Sequence, residues 1–200
     1  MTLIIIGITV IISILSFSNQ DLFNRLKFNP WLIKNKKESW RFLTHAFVHA
    51  GWMHLIINMF VLYSFGRMVE LSYQQVFGPG KGLFNYGLLY FGGILFATLL
   101  DFGKQKNNPL YDAVGASGAV AAVVFASIIL SPRSTLFIFP IPIPIPAFIF
   151  GVLYLIYSAY MGKRGMDNIG HNAHFLGAVY GILLTIILEP ALIGHFFRQF

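Results

Sequence analysis

The stretch from Ala113 to Ala119 reads Ala-Val-Gly-Ala-Ser-Gly-Ala, so Ser117 has neighbours too small to shield its hydroxyl. An apolar run follows to about Ile129. A serine this open, at the head of a membrane-length helix, can be reached by another helix or by a substrate. Small residues in membrane helices also serve simply to let backbones approach. The serine therefore needs companions before it implies chemistry. His54, Asn58 and His174 are the polar residues that accompany it inside apolar stretches, where such side chains are costly and tend to be paired or functional. His174 is the residue type that takes a serine proton and returns it to a leaving amine. His54 and Asn58, spaced i,i+4, share one helix face. With the Ser117 backbone amide they can donate hydrogen bonds to a tetrahedral oxyanion. No Asp or Glu falls at that depth, so the pattern is a serine–histidine dyad whose imidazole must be held by packing.

The other histidines invite a second chemistry. His45, His49 and His54 are spaced by four and five residues, which suggests a metal site. Gly51 interrupts that segment and no carboxylate accompanies it, so zinc is set aside, and a serine dyad needs no cofactor. His171, at i,i+3 from His174, is expected at the water interface.

These residues must be positioned by membrane helices. Of 200 residues, 56% are hydrophobic and 10% charged, against about 25% charged in soluble domains; mean hydropathy is +0.70. There are no cysteines, so disulfides and thiolate metal sites are excluded. The net charge of +7 is spread over connecting segments. It suits lipid headgroups, not nucleic acid. The N-terminus lacks the basic region and cleavage site of a secretory signal and reads as a retained span.

A spanning helix needs about 20 mainly apolar residues. Six candidates are expected at about 2–17, 52–69, 82–100, 113–130, 146–161 and 169–188, giving an all-α polytopic membrane protein with one domain over 1–200. The long first connection carries Trp31, Trp40 and six Lys or Arg residues, with Trp52 just beyond it. This is headgroup-zone chemistry, and the loop is expected on or in the membrane surface. Pro140, Pro142, Pro144 and Pro146 alternate with isoleucine. They disfavour helix, so that segment is expected to be extended. With six spans, the second, fourth and sixth run in the same direction. His54, Ser117 and His174 each lie near the start of their span and so fall in one leaflet. Gly177 and Gly181 follow His174 on roughly its own face. They would let the sixth helix pack on the small-residue face of the fourth.

Together these residues resemble the rhomboid family of intramembrane serine proteases. The resemblance runs from about Trp40 to Gly181. Trp40-Arg41 is similar to the family's tryptophan–arginine pair, and His54-Leu-Ile-Ile-Asn58 to its H-x-x-x-N motif. Gly66 and Glu70 match G-x-x-x-E, and Gly115-Ala-Ser117-Gly118 matches G-x-S-G. Ala173-His174-Phe-Leu-Gly177, with Gly181, matches A-H-x-x-G-x-x-x-G. The resemblance implies a six-helix bundle with a Ser117–His174 dyad in a water-accessible cavity. His54, Asn58, Gly115 and the Ser117 amide would stabilise the oxyanion and the substrate. Substrates would be transmembrane proteins entering sideways from the lipid bilayer. A capping loop at about 162–170, with Gly162 and Gly165, would be mobile. A catalytically silent relative that binds membrane segments without cutting them is the alternative, and a histidine-based metal or proton carrier is a third reading.

The family places the N-terminus in the cytoplasm. The inside segments would then hold Arg67, Lys81, Arg133 and Arg198. The outside segments would hold the six basic residues of the first loop with Lys104, Lys106, Lys163 and Arg164. The positive-inside rule favours the opposite orientation. The family orientation is adopted, because the first loop reads as interfacial and the first span has no flanking charge. The lack of transit features points to a prokaryotic plasma membrane.

Overall fold

The computed structural model describes residues 1–138, 141–164 and 169–200. In chain order the helices are α1 (Thr2–Ser18), α2 (Gln20–Leu26), α3 (Pro30–Lys36), α4 (Arg41–Thr44), α5 (Trp52–Phe77), α6 (Pro79–Ala97), α7 (Leu99–Gln105) and α8 (Ser117–Leu130). A hairpin of β1 (Thr135–Ile138) and β2 (Ile141–Pro146) leads to α9 (Ala147–Arg164), α10 (His171–Leu188) and α11 (Ala191–Phe197). The six long helices α1, α5, α6, α8, α9 and α10 fall where the six spans are expected. Among the described residues, α5, the α6–α7 pair and α10 are long and apolar enough to cross a bilayer. The protein is a mostly helical, multi-pass integral membrane bundle.

The fourth span departs from expectation. Its helix begins at Ser117, not near 113. At 1.5 Å per residue its 14 residues reach only about 21 Å, short of a hydrocarbon core of about 30 Å. The residues before Ser117 are not helical. Ala113 forms an isolated antiparallel bridge with Phe28, and each amide donates to the other's carbonyl at 2.9 Å. Gly115 then takes φ +106°, a left-handed conformation that glycine alone adopts without strain. Irregular backbone at membrane depth is tolerated only where it is buried in protein or lines a water-filled cavity.

Helix α8 is the bundle's axis; from Gly118 to Ile128 every residue is buried. Helix α10 lies against it backbone to backbone. A Cβ on Gly177 would overlap the Gly118 carbonyl oxygen, and one on Gly181 would overlap that of Ala122. Tyr73 of α5 donates to Thr185 Oγ1 at 2.7 Å, and Thr185 in turn donates to the Gly181 carbonyl at 2.7 Å. One turn before Tyr73 on α5, Glu70 accepts from the Thr2 amide at 2.9 Å and from the Thr2 hydroxyl at 2.6 Å. Gly66 leaves room there for the Tyr86 hydroxyl. The G-x-x-x-E motif thus ties α1, α5 and α6 together.

The first loop folds into short helices, each with its own start signal. Asn19 and Asn29 cap α2 and α3 through side-chain oxygens that accept from Leu22 and Leu32 at 2.9 Å. Arg41 is buried; it pairs with Glu38 at 2.6 Å and donates to the carbonyls of Asn24 and Lys27 at 2.8 Å. Trp40 and Trp52 remain exposed, as an interfacial loop requires.

The proline run is extended, and it pairs as an antiparallel strand with 135–138, which the sequence reading did not foresee. Ala147 donates to the Ser134 carbonyl at 2.8 Å, so Leu136–Ile145 is the next hydrogen-bonded pair of the ladder. Pro144 and Pro146 fall opposite Phe137 and Thr135. At these positions the missing amide would have faced outward, so the ladder loses nothing. Pro140 and residues 165–168 of the expected capping loop lie outside the described residues.

Candidate active site

A cavity of about 950 Å³ opens at the head of α8, and Ser117, His174, His54, Asn58 and Gly115 all line it. Its sides are apolar, with Ile57 and Val61 from α5 and Phe150 and Tyr154 from α9. Residues expected to share one leaflet thus share one cavity, although 120 positions separate His54 from His174.

Ser117 is the first residue of α8. The first amides of a helix lack intrahelical acceptors. Among the described residues no acceptor takes the amides of Ser117 and Gly118. They lie at the positive end of the helix, beside the hydroxyl. The His54 ring packs on Gly115, where a Cβ would come within 2.5 Å of its Cε1. Only glycine leaves that space. Asn58 is buried, and its Nδ2 donates to the His54 carbonyl at 2.9 Å, which keeps its second amide proton for another acceptor.

His174 packs against aromatic rings. Its ring stacks on Tyr154 at 6.3 Å between centroids and meets His171 edge-on at 6.2 Å. Gly177, one turn on, locks α10 to the Gly118 backbone. Among the described residues no hydrogen bond joins Ser117 to His174. Catalytic hydrogen bonds are often long before substrate binds. His171 departs from expectation. It is buried, 4% exposed, between His174 and Tyr157 and not at a water interface.

The other histidines are committed to hydrogen bonds. His45 Nδ1 donates to the Arg41 carbonyl at 3.0 Å. Ser13 donates its hydroxyl proton to the Phe47 carbonyl at 2.9 Å, so the 2.9 Å contact with His49 makes His49 Nδ1 the donor. His49 Nε2 then accepts the Ala116 amide at 3.4 Å. His49 therefore holds the residue before Ser117 from below and is itself held by α1. Burial pushes the His45 pKa down to about 4. Burial, with the neighbouring His54 and His45, pushes His49 down to about 3. Both rings are neutral, as these bonds require. The spacing of His45 and His49 showed two histidines one helical turn apart, which also fits metal ligands. No set of three metal-binding side chains occurs among the described residues.

A further expectation is corrected by the structure. An acidic side chain does reach the cavity. Asp101 falls just past the third span expected at about 82–100, but α7 carries helix past it, and its carboxylate is buried on the cavity wall.

A family model of the rhomboid domain matches residues 36–191. The chain belongs to the rhomboid family. It is 25% identical to Rhomboid-related protein 1 of Caenorhabditis elegans, over 81% of this chain and 43% of that protein. It is 28% identical to Rhomboid-like protein 11, chloroplastic, of Arabidopsis thaliana, over 80% of this chain and 56% of that one. It is 29% identical to Rhomboid-like protease 5 of Toxoplasma gondii, over 76% of this chain and 16% of that one. The rhomboid chain thus spans about half the length of these relatives, or less. They are eukaryotic, and one is chloroplastic by name, so they lend no support to a prokaryotic plasma membrane.

Proposed function

We propose that this rhomboid is an intramembrane serine protease acting on transmembrane segments of other proteins. The observation that carries the reading is the placement of Ser117 at the head of α8, on one cavity wall with His174. Ser117 Oγ attacks the scissile carbonyl. His174 takes its proton and returns it to the leaving amine, and water then releases the acyl group by the same route. The negative oxygen of the tetrahedral intermediate meets the Ser117 and Gly118 amides at the positive end of α8, with Asn58 and His54 beside them.

The segment before Gly115 offers a way to hold a substrate. Ala113 spends its amide and carbonyl on Phe28. Asp112 and Val114, its neighbours, line the cavity, and no other backbone group among the described residues takes their amides or carbonyls. In an extended chain, alternate residues face alternate edges. The second edge thus remains open for an unwound substrate to pair with. A stable helix hides its carbonyls in its own hydrogen bonds, so substrates are segments that unwind readily. The apolar walls from α5 and α9 suit entry from the bilayer.

The test is covalent labelling of the purified protein in detergent by a fluorophosphonate probe. Wild type is expected to label, and Ser117→Ala and His174→Ala are expected not to. Removing one oxygen from Ser117 leaves the thermal stability of the bundle unchanged. A folded wild type that does not label would favour a binding-only rhomboid.

A further inference from the structure

Resting on that reading, we propose that Asp101 is a positioning residue for His174, acting through the side chain of Asn172. Asp101 is 7% exposed. Its Oδ2 accepts from the Tyr111 hydroxyl at 2.9 Å, and its Oδ1 accepts from Asn172 Nδ2 at 3.0 Å. Among the described residues no cation pairs with it; Lys27, on the same cavity wall, is bound to Asp112 at 2.7 Å. A buried carboxylate served by two neutral donors is costly. Its bond to Asn172 supplies a role.

That role follows from how α10 begins. Its cap position is Gly170, with no side-chain cap hydrogen bond. The first turn carries Asn172 and His174. Below His174, Gly177 seats α10 on the α8 backbone. Above it, the Asn172–Asp101 bond ties the first turn to α7. The Asn172 amide is itself oriented. Its Nδ2 is directed by the bond to Asp101, and its Oδ1 lies over Gly162 of α9, where a Cβ would come within 2.7 Å. The carboxylate also faces the positive end of α10. His174 is thus held between a glycine contact and a charge-assisted hydrogen bond, and the second is the one a single substitution can reverse.

The experiment exploits the polarity of that bond. Asn172→Asp removes the donor and sets two carboxyl groups against each other; at alkaline pH, where both are ionised, they repel and release the first turn. Asp101→Asn in the same chain would restore the bond with donor and acceptor exchanged, while Tyr111 keeps an acceptor. Fluorophosphonate labelling kinetics are read on wild type, Asn172→Asp, Asn172→Ala and the exchanged double variant, with thermal unfolding followed on each. A misplacement of about 1 Å costs roughly 100-fold in rate. Asn172→Asp is therefore expected to lower the maximal labelling rate by one to two orders of magnitude, with the probe's apparent affinity unchanged and the protein folded. The exchanged pair is expected to recover most of that loss. Should Asn172→Asp fail to fold, Asn172→Ala carries the comparison, with the same expected loss of rate. A folded Asn172→Asp or Asn172→Ala that labels at the wild-type rate would overturn the proposal. So would an exchanged pair, folded, that labels no faster than Asn172→Asp. A wild type that does not label would sink the proposed function and this inference with it, whereas the two results just named leave the proposed function standing.

Discussion

His49 links acidity to the stability of the nucleophile's support. Its ring is fully buried and neutral, donating to Ser13 and accepting from Ala116. Its pKa falls from 6.5 to about 3, and that of His45 from 6.5 to about 4. A histidine with a depressed folded pKa leaves the unfolded chain holding more protons below 6.5. Stability is therefore full above pH 6.5 and declines as pH falls toward the folded pKa. At pH 5 both rings are still neutral when folded and mostly protonated when unfolded. That is about 1.5 pKa units of linkage, or about 2 kcal/mol, for each ring. His49→Gln removes one titrating group and keeps an amide that can accept from Ala116. It is expected to be about 1–3 kcal/mol less stable at pH 7. From pH 7 to pH 5, however, it should lose about 2 kcal/mol less than wild type. Reversible unfolding in mixed micelles, with tryptophan fluorescence as the signal, measures both. An equal loss in the two proteins would refute the assignment of His49 as a neutral bridge between α1 and the residue before Ser117.

Three further outcomes follow from the same geometry. Asn58→Ala should lower turnover about 100- to 1,000-fold with little change in apparent substrate affinity, because an oxyanion donor acts mainly in the transition state; an effect on affinity alone would remove it from that role. Gly177→Val puts side-chain atoms where the Gly118 carbonyl lies, so α8 and α10 must separate; a loss of at least about 1–3 kcal/mol and of labelling is expected, and an unchanged melting temperature would contradict the packing. With the N-terminus inside, an even number of spans returns the C-terminus to the cytoplasm; a phosphatase active only outside, fused after Phe200, should then be silent, and high activity would reverse the orientation.

Much of this architecture is legible in the chain because it is local or repeats along a helix. Apolar length marked the long helices, and parity put His54, Ser117 and His174 in one leaflet. The spacing of Gly177 and Gly181 announced the α8–α10 contact. What escaped depends on partners far away in sequence. Ser117 opens α8 because Phe28 holds Ala113 in an extended bridge and Gly115 turns with φ +106°. Neither the bridge nor the turn is an apolar pattern. His49 bonds an amide 67 residues away. Its spacing from His45 says nothing of that. Asp101 followed an apolar run and preceded lysines, which reads as a loop. Its bond to Asn172, 71 residues on, ties it to the helix that carries His174. The proline run was read as extended from its missing amides, but the pairing with 135–138 depends on which edge those amides would have faced.

The central claim is that Ser117 cuts a peptide bond inside the membrane. Its most direct test is reconstitution of the pure protein in lipid vesicles with a transmembrane substrate that carries helix-breaking residues, and mass spectrometry of the products. The account predicts one main cut within or at the edge of the apolar segment, present with wild type and absent with Ser117→Ala. Cleavage that survives Ser117→Ala, or none by a wild type that labels with the serine probe, would contradict it.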